Sequence, residues 1–487
     1  MATSTELNTG GGGAVAAPEH LKRELGVGAI VFMVVAGAAP LGIVAASIPI
    51  ILIYSGSTAA PLYYLIAAAI LVLFAVGFTR MSQFVHNAGA FYTYIQAGLG
   101  RVAGLGAGTL ALVSYTVAIL SAITYFGVAG SAVVQSYLGV DLPWWTLSLA
   151  SVLIVGFLGF RNIDLSSKVL GVLLILEVVV VLVMDIGILV HGGRDGITGQ
   201  PFDLSALAGP GVGLGLMFAF SSFVGFEATA VFRSEAKDPA RTIPRATYIA
   251  VLLIGGVYAL SAFAIVVGLG VSDAVSSATA DPVNVVLNLA STYVAPILFD
   301  VMQILLVTSF FACILSFHNV IARYQFTLAR SSALPAWLGK VHPRHFAPSS
   351  SSLALSIVCA VLMVGVVLSG LDPVTQVYAW LGGAATLGIM VLLVLTCVAV
   401  IVYFRRHRTG HSPWATLVAP AVALVGLLWL VYLIVSNLTL LVGTPEAAWV
   451  VEGALILAFA AGVAIAMVMR TRRPADFARL NAKEAGE

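Results

Sequence analysis

Twelve apolar stretches, each close to or beyond the length of a membrane crossing, run through this chain. They lie near residues 26–54, 58–79, 102–136, 144–160, 168–190, 210–232, 246–270, 291–322, 352–370, 374–403, 414–437 and 447–469. A helical crossing takes about 20 apolar residues. In hydrocarbon only a helix or a closed barrel satisfies the backbone polar groups. A barrel strand would alternate over about 10 residues, and these Leu-, Val- and Ala-rich runs do not alternate. The expectation is an all-α polytopic membrane protein with 12 transmembrane helices. Composition agrees, since charged residues make up 9% of the 487, against roughly 25% in soluble globular proteins. That charge cannot cover a water-soluble surface, which excludes a soluble enzyme and a disordered chain. A net charge of +2, with no basic run interleaved with aromatics, argues against a nucleic-acid partner.

The basic residues give an orientation. With both termini placed in the cytoplasm, every Lys and Arg except Arg194 falls in an inner segment, among them Lys22, Arg80, Arg161, Arg245, Arg330, Arg406 and Arg473. This is the positive-inside pattern, and one span miscounted would scramble it downstream. A cell-membrane (inner or plasma membrane) location with cytoplasmic N- and C-termini is expected. Lys22 and Arg23 before the first apolar run imitate a signal peptide, but the run is too long and eleven more follow, so a retained helix is expected.

Two spans are interrupted. The first reads Gly37-Ala38-Ala39-Pro40-Leu41-Gly42 at mid-membrane, and the sixth reads Ser221-Ser222-Phe223-Val224-Gly225-Phe226-Glu227. Proline removes an N–H and clashes with the preceding turn, and glycine weakens the helix beside it. A shift of 185 residues lays Gly26-Val27-Gly28 on Gly211-Val212-Gly213, Gly37 on Ser222 and Pro40 on Gly225. Paired interruptions at corresponding positions of two halves point to a secondary-transporter site. Exposed N–H groups at a half-helix start hold anions, and exposed carbonyls hold ammonium groups or cations.

Around the second interruption, Ser222-Phe-Val-Gly-Phe-Glu227 continues to Arg233-Ser-Glu-Ala-Lys-Asp-Pro239-Ala-Arg-Thr-Ile-Pro244-Arg-Ala246. This resembles the amino acid–polyamine–organocation permeases, whose sixth helix commonly shows G-[FV]-E followed by E-x-x-[DN]-P-x-R-x-[IV]-P. Asn87-Ala-Gly89-Ala-Phe-Tyr92 looks like that family's loop between helices 2 and 3. Arg323 to Arg330, with Leu334-Pro335 and His342-Pro343, looks like its segment after helix 8. The resemblance runs from about residue 24 to 404. It implies a LeuT-like fold of two inverted five-helix repeats plus two C-terminal helices, with substrate bound between helices 1 and 6. The implied organisation is a disordered cytoplasmic tail (1–24), a ten-helix core (25–404, repeats about 25–190 and 210–404), helices 11 and 12 (405–470) and a cytoplasmic tail (471–487).

The resemblance also supplies the function: a permease for amino acids or related amines, not an enzyme, working by alternating access in symport or exchange. Substrate-binding residues are then expected at Ala36, Gly37, Ala38, Ala39, Pro40, Leu41 and Gly42, and at Ser221, Ser222, Phe223, Gly225 and Phe226. Ser114 and Tyr125, at helical spacing with Ser121, join them from the third span. In relatives the first break reads close to G-S-G and its N–H groups bind the substrate carboxylate. Here Pro40 removes one such donor, which keeps a polyamine substrate open beside an amino acid.

Two acids sit deep in spans, where ionisable residues mark pathways or relays. Glu227, just past the sixth-span break, is expected to gate the cycle, to hold the break open by satisfying its backbone groups, or to meet a substrate ammonium. Glu177 stands where some relatives carry a lysine whose ammonium replaces a bound cation. It titrates during transport, coupling the cycle to protons, or coordinates a cation, or is a neutral acid bonded to a neighbouring helix. A sodium site would need hydroxyls of the eighth span, and Thr308, Ser309 and Ser316 more often bond their own preceding turn. The proton is therefore the preferred coupling ion.

Asp185, Asp300 and Glu452 are expected nearer the outer interface, solvated or capping. Aromatics Phe223, Phe226, Tyr378 and Trp380 are core or gating residues. Gly100, Gly104 and Gly108 form a GxxxGxxxG run suited to helix packing. No GxxxxGK[ST] occurs. Cys313, Cys359 and Cys397 lack metal-ligand spacing, and the loop histidines His342, His345, His407 and His411 lack supporting carboxylates. No cofactor or metal is expected; the partners are the small-molecule substrate and the lipid bilayer.

Overall fold

The structure, a computed structural model, describes residues 25–37, 39–85, 90–161, 167–227, 229, 236–341, 348–407 and 412–480. Ala38, the side chains of Ala36, Gly37 and Lys168, Asn87 to Gly89, Arg233 to Glu235, His342, His345, His411 and the first 24 residues lie outside this description. The described residues form helices joined by turns and loops, with one isolated bridge between Leu25 and Ala236 and no strand among them.

The first span is two helices, α1 (Val27–Gly37) and α2 (Pro40–Ser55). There follow α3 (Ala60–Met81), α4 (Ala90–Leu99), α5 (Arg101–Leu138), α6 (Trp144–Phe160) and α7 (Ser167–Val190). The second half begins with α8 (Val212–Ser221), α9 (Pro239–Leu269), α10 (Ala274–Ala280), α11 (Val285–Tyr293) and α12 (Pro296–Arg330). It continues with α13 (Ser349–Ser369), α14 (Pro373–Arg406), α15 (Trp414–Val442), α16 (Pro445–Arg472) and the short α17 (Pro474–Arg479). Among the described residues 9 helices are long and apolar enough to cross a membrane. The other three apolar windows hold the shorter α2, α6 and α8. Two of these are short because their spans are broken by Pro and Gly, and α6 has 17 residues.

The long α5 is the hub, packing against α4, α6, α12, α14 and α16. Close approach depends on small residues, as expected where dispersion rather than water drives helix association. Gly106 sits under Phe459 and Val463 of α16, while Gly462 of α16 lies against the Leu105 carbonyl. Gly104 lies on Gln96, and Gly98 lies on the Ala399 backbone. Of the GxxxGxxxG run, Gly104 packs on Gln96 and Gly108 meets Leu328, whereas Gly100 caps α5 with nothing within 4 Å of it. The start of the expected C-terminal tail is itself docked. Gln96 donates from its amide to the Leu480 carbonyl, and Arg101 lies 5.2 Å from the Phe477 ring centroid. Cys359 and Cys397 are buried core residues and Cys313 is half-buried.

Candidate functional site

The first break is built from local chain chemistry. α1 stops at Gly37; Ala39 then takes a left-handed conformation (φ 48°) and caps α2, whose first residue is Pro40. Proline suits that place because a first-turn N–H has no intrahelical acceptor. The next turn, Ile43–Ser47, is a π segment, the kind of irregularity that accumulates at functional sites. The second break follows α8, where residues 222–227 are turns and Gly225 has φ 109°, a value open to glycine and strained for other residues. The left-handed residues of the two breaks, Ala39 and Gly225, stand within one position of the shift that overlays the two halves.

Each break is held by one of the two deep acids. The Glu227 carboxylate is buried and accepts from the Gly225 N–H at 2.9 Å and from the Tyr115 hydroxyl of α5 at 2.6 Å. It therefore closes the turn it belongs to and ties it to the hub helix. Glu177, on α7, is equally buried and reaches the first break from outside. Its Oε2 accepts from Ser309 of α12 at 2.9 Å and from the Leu41 N–H at 3.4 Å. Among the described residues neither carboxyl has a Lys or Arg partner; the Arg194–Asp273 pair lies in exposed turns and the Arg241–Asp238 pair at the exposed start of α9. The site thus pairs broken-helix backbone with two acids and hydroxyl donors, a set able to orient an ammonium and a carboxylate at once.

The other expected site residues divide into groups. Ser222 shares a hydrogen bond of 3.2 Å with Tyr64, while Ser221 donates to the carbonyl of Phe218 in its own helix. Phe223 and Phe226 are buried and, with Glu227, Leu71, Thr386 and Ile389, line a small cavity between α3, the second break and α14. Phe226 meets Phe74 edge-on at 5.9 Å, so it packs toward α3. Tyr125 is brought to the first break by an aromatic cluster. It stacks on Phe310 at 4.8 Å and leans on Tyr378 at 4.9 Å, and the Phe310 ring covers Gly42. Tyr378 in turn shares a 3.0 Å hydrogen bond with Ser47. Ser114 stands apart, buried against Gly388. Ser121 donates to the Tyr378 carbonyl at 2.8 Å.

One expectation is corrected. Asp185 is neither solvated nor capping: it is fully buried and accepts from Ser261 at 2.6 Å, because its face of α7 packs on α9. Of the eighth-span hydroxyls, Thr308 donates to its own turn at Leu305 as expected, Ser316 is exposed, and Ser309 bonds Glu177 rather than its own turn. Tyr115, Tyr64 and Phe310 escaped sequence reasoning. Tyr115 adjoins Ser114, but in a helix apolar on every side nothing singles out the inward face.

With this geometry in place, the similarities are informative. The amino acid permease family pattern matches residues 29–472. An uncharacterized transporter of Mycobacterium tuberculosis is 33% identical over 144 residues, which is 29% of this chain and 31% of that protein. The chain thus spans about a third of the length of that mycobacterial relative. The branched-chain amino acid permease of Bacillus subtilis is 25% identical over 382 residues, covering 74% of this chain and 77% of the relative. The low-affinity putrescine importer of Escherichia coli is 23% identical over 294 residues, covering 58% and 62%. The chain belongs to the amino acid permease family, transporters of the amino acid–polyamine–organocation superfamily and not enzymes.

Proposed function

We propose that this permease is a secondary active transporter for neutral amino acids with apolar side chains, coupled to protons and working by alternating access around its two helix breaks. The observation that carries the reading is the pairing of each break with a buried carboxylate, Glu177 at Leu41 and Glu227 at Gly225. Backbone N–H groups of Ala39, Leu41 and Gly42 would take the substrate carboxylate, and carbonyls beside Ser221 to Phe226 would take its ammonium. An aliphatic substrate side chain is proposed from the Bacillus relative's name, with the apolar residues beside the second break, Leu71, Phe220, Phe223, Val224 and Ile389, as its neighbours. Phe310, Tyr125 and Tyr378 would close over the first break.

The architecture we propose is 12 membrane crossings: two inverted repeats, about 25–190 and 210–404, with α15 and α16 outside them, and tails at 1–24 and 471–487. The packing of α3 on α9, α5 on α12 and α6 on α13 supports it. Each pair matches corresponding members of the two halves, as a two-fold relation brings like to like. Both termini would be cytoplasmic, with Arg194 the sole outer base.

A second reading, a putrescine-type amine, is favoured by Pro40, which withholds one carboxylate donor, and by the Escherichia relative. Counterflow in liposomes with labelled leucine, isoleucine, valine and putrescine separates the two. Aliphatic amino acids should exchange and putrescine should not. Putrescine exchange alone would replace the first reading, and silence toward all four would remove both.

A further inference from the structure

Helices α7 and α9 run side by side toward the same end. The Arg194 N–H, just past α7, donates to the Val267 carbonyl near the end of α9 at 3.1 Å, and Gly268 lies against Ile188. Along this seam sit polar groups that the transport reading does not use. Asp185 is fully buried; its Oδ2 accepts from Ser261 at 2.6 Å, and its Oδ1 has no partner among the described residues. One turn before Ser261 on α9 is Tyr258, whose buried hydroxyl also has no partner and which lies within electrostatic reach of Glu177. Glu177 and Asp185 are eight residues apart on α7, about 12 Å along its axis.

A carboxyl kept for structure alone would have both oxygens bonded, since an ionised carboxylate takes several donors and offers none. Here one oxygen is left without a partner among the described residues in a buried seam, a costly arrangement, and one turn away on α9 stands the unpartnered hydroxyl of Tyr258, a residue within electrostatic reach of Glu177. We propose that Asp185 is a second proton-carrying site of this transporter, the outer station of a path through Ser261 and Tyr258 to Glu177. The inference rests on the proton-coupled reading above. In the transfer, Asp185 gives the proton it took from the outer side to the Ser261 oxygen, Ser261 passes its own proton to Tyr258, and Tyr258 passes its own to Glu177. Each hydroxyl forms one O–H bond and breaks one, Asp185 returns to a carboxylate and Glu177 becomes the neutral acid.

The remaining titratable or charged groups near the seam are few. From α12 comes Cys313, within electrostatic reach of Glu177, and from α11 comes Tyr293, whose hydroxyl donates to the Gly268 carbonyl. Tyr64 of α3 faces the Tyr258 ring at 5.6 Å. The first-span helices contribute the Leu41 N–H and one described titratable side chain, Tyr54, whose hydroxyl donates to the Thr375 carbonyl. Beyond the outer end of α7 lie His191, Asp195 and the Arg194–Asp273 pair. A base facing Asp185 would have made it half of an ion pair, and none of the described residues supplies one.

The test uses the full chain in liposomes containing a pH-reporting dye, with whichever of leucine, isoleucine, valine or putrescine gives the strongest counterflow. Asp185→Asn should lose gradient-driven accumulation and substrate-linked proton influx while keeping counterflow. Ser261→Ala, which leaves the carboxyl but removes its donor, should move the pH midpoint of gradient-driven uptake by about one unit. Wild-type accumulation and proton influx in Asp185→Asn would overturn the proposal. If that variant does not fold, an unmoved midpoint in Ser261→Ala overturns it instead. A wild-type protein that exchanges substrate but ignores the pH gradient would sink proton coupling itself. Loss of gradient-driven uptake in Glu177→Gln with Asp185→Asn intact would sink only the outer station.

Discussion

Glu227 and Glu177 hold the two helix breaks in different ways. Glu227 belongs to the segment it stabilises: one oxygen bonds Gly225 two residues back and the other bonds Tyr115, at 2.9 and 2.6 Å. Glu177 comes from a different helix, and one oxygen, Oε2, serves both Ser309 at 2.9 Å and Leu41 at 3.4 Å. The first arrangement is a brace that moves with its own turn. The second is a link between three separate elements, α2, α7 and α12, and it lengthens or breaks whenever one of them shifts. On our proposal of an alternating-access cycle, the looser contact is where proton and substrate are coupled.

Glu227→Ala should break the comparison most severely. It leaves the buried Tyr115 hydroxyl unpaired, at about 1–3 kcal/mol, and frees the half-buried Gly225 N–H as well. Thermal unfolding in detergent should shift clearly downward and uptake should vanish. A variant with wild-type melting and transport would show that Glu227 braces nothing. Next in size is Glu177→Gln. The amide keeps an acceptor for Ser309 and Leu41, so melting should change little, while pH-driven uptake should disappear and substrate exchange survive. Unchanged pH-driven uptake would leave Glu177 a purely structural acid.

The backbone at the two breaks gives a finer contrast. Gly225→Ala meets no neighbouring atom within 4 Å, so its effect isolates the conformational strain of φ 109°, on the order of 1–3 kcal/mol. Ala39→Gly should act in the opposite direction. Ala39 already sits at φ 48°, and relief of that strain should stabilise by up to about 1 kcal/mol after the flexibility gained in the unfolded chain. Calorimetry on the two variants should therefore move in opposite directions. Movement in the same direction would mean that the breaks are not comparable.

Much of this was legible in the sequence. The breaks at Pro40 and Gly225 are local, because missing N–H groups and absent side chains act within a few residues. Glu227 announced itself by standing beside one of them in an apolar span. Asp185 was misplaced because nearness to a span's end was taken for exposure, whereas the facing helix α9 buries it. Ser309 was visible as a hydroxyl, but its partner, 132 residues earlier, was not.

The sequence by itself determined the membrane solvent, the apolar windows, the positions of both breaks and the family, since each follows from composition, local backbone chemistry or a short motif. Only the tertiary structure decided which acid holds which break, that Tyr115 and Ser309 are their donors, that Phe310 covers Gly42, and that Asp185 faces Ser261. The physical reason is that these helices are apolar around their whole circumference. In water an amphipathic pattern would record the inward face, but in lipid every face is apolar and only packing against a neighbouring helix selects one.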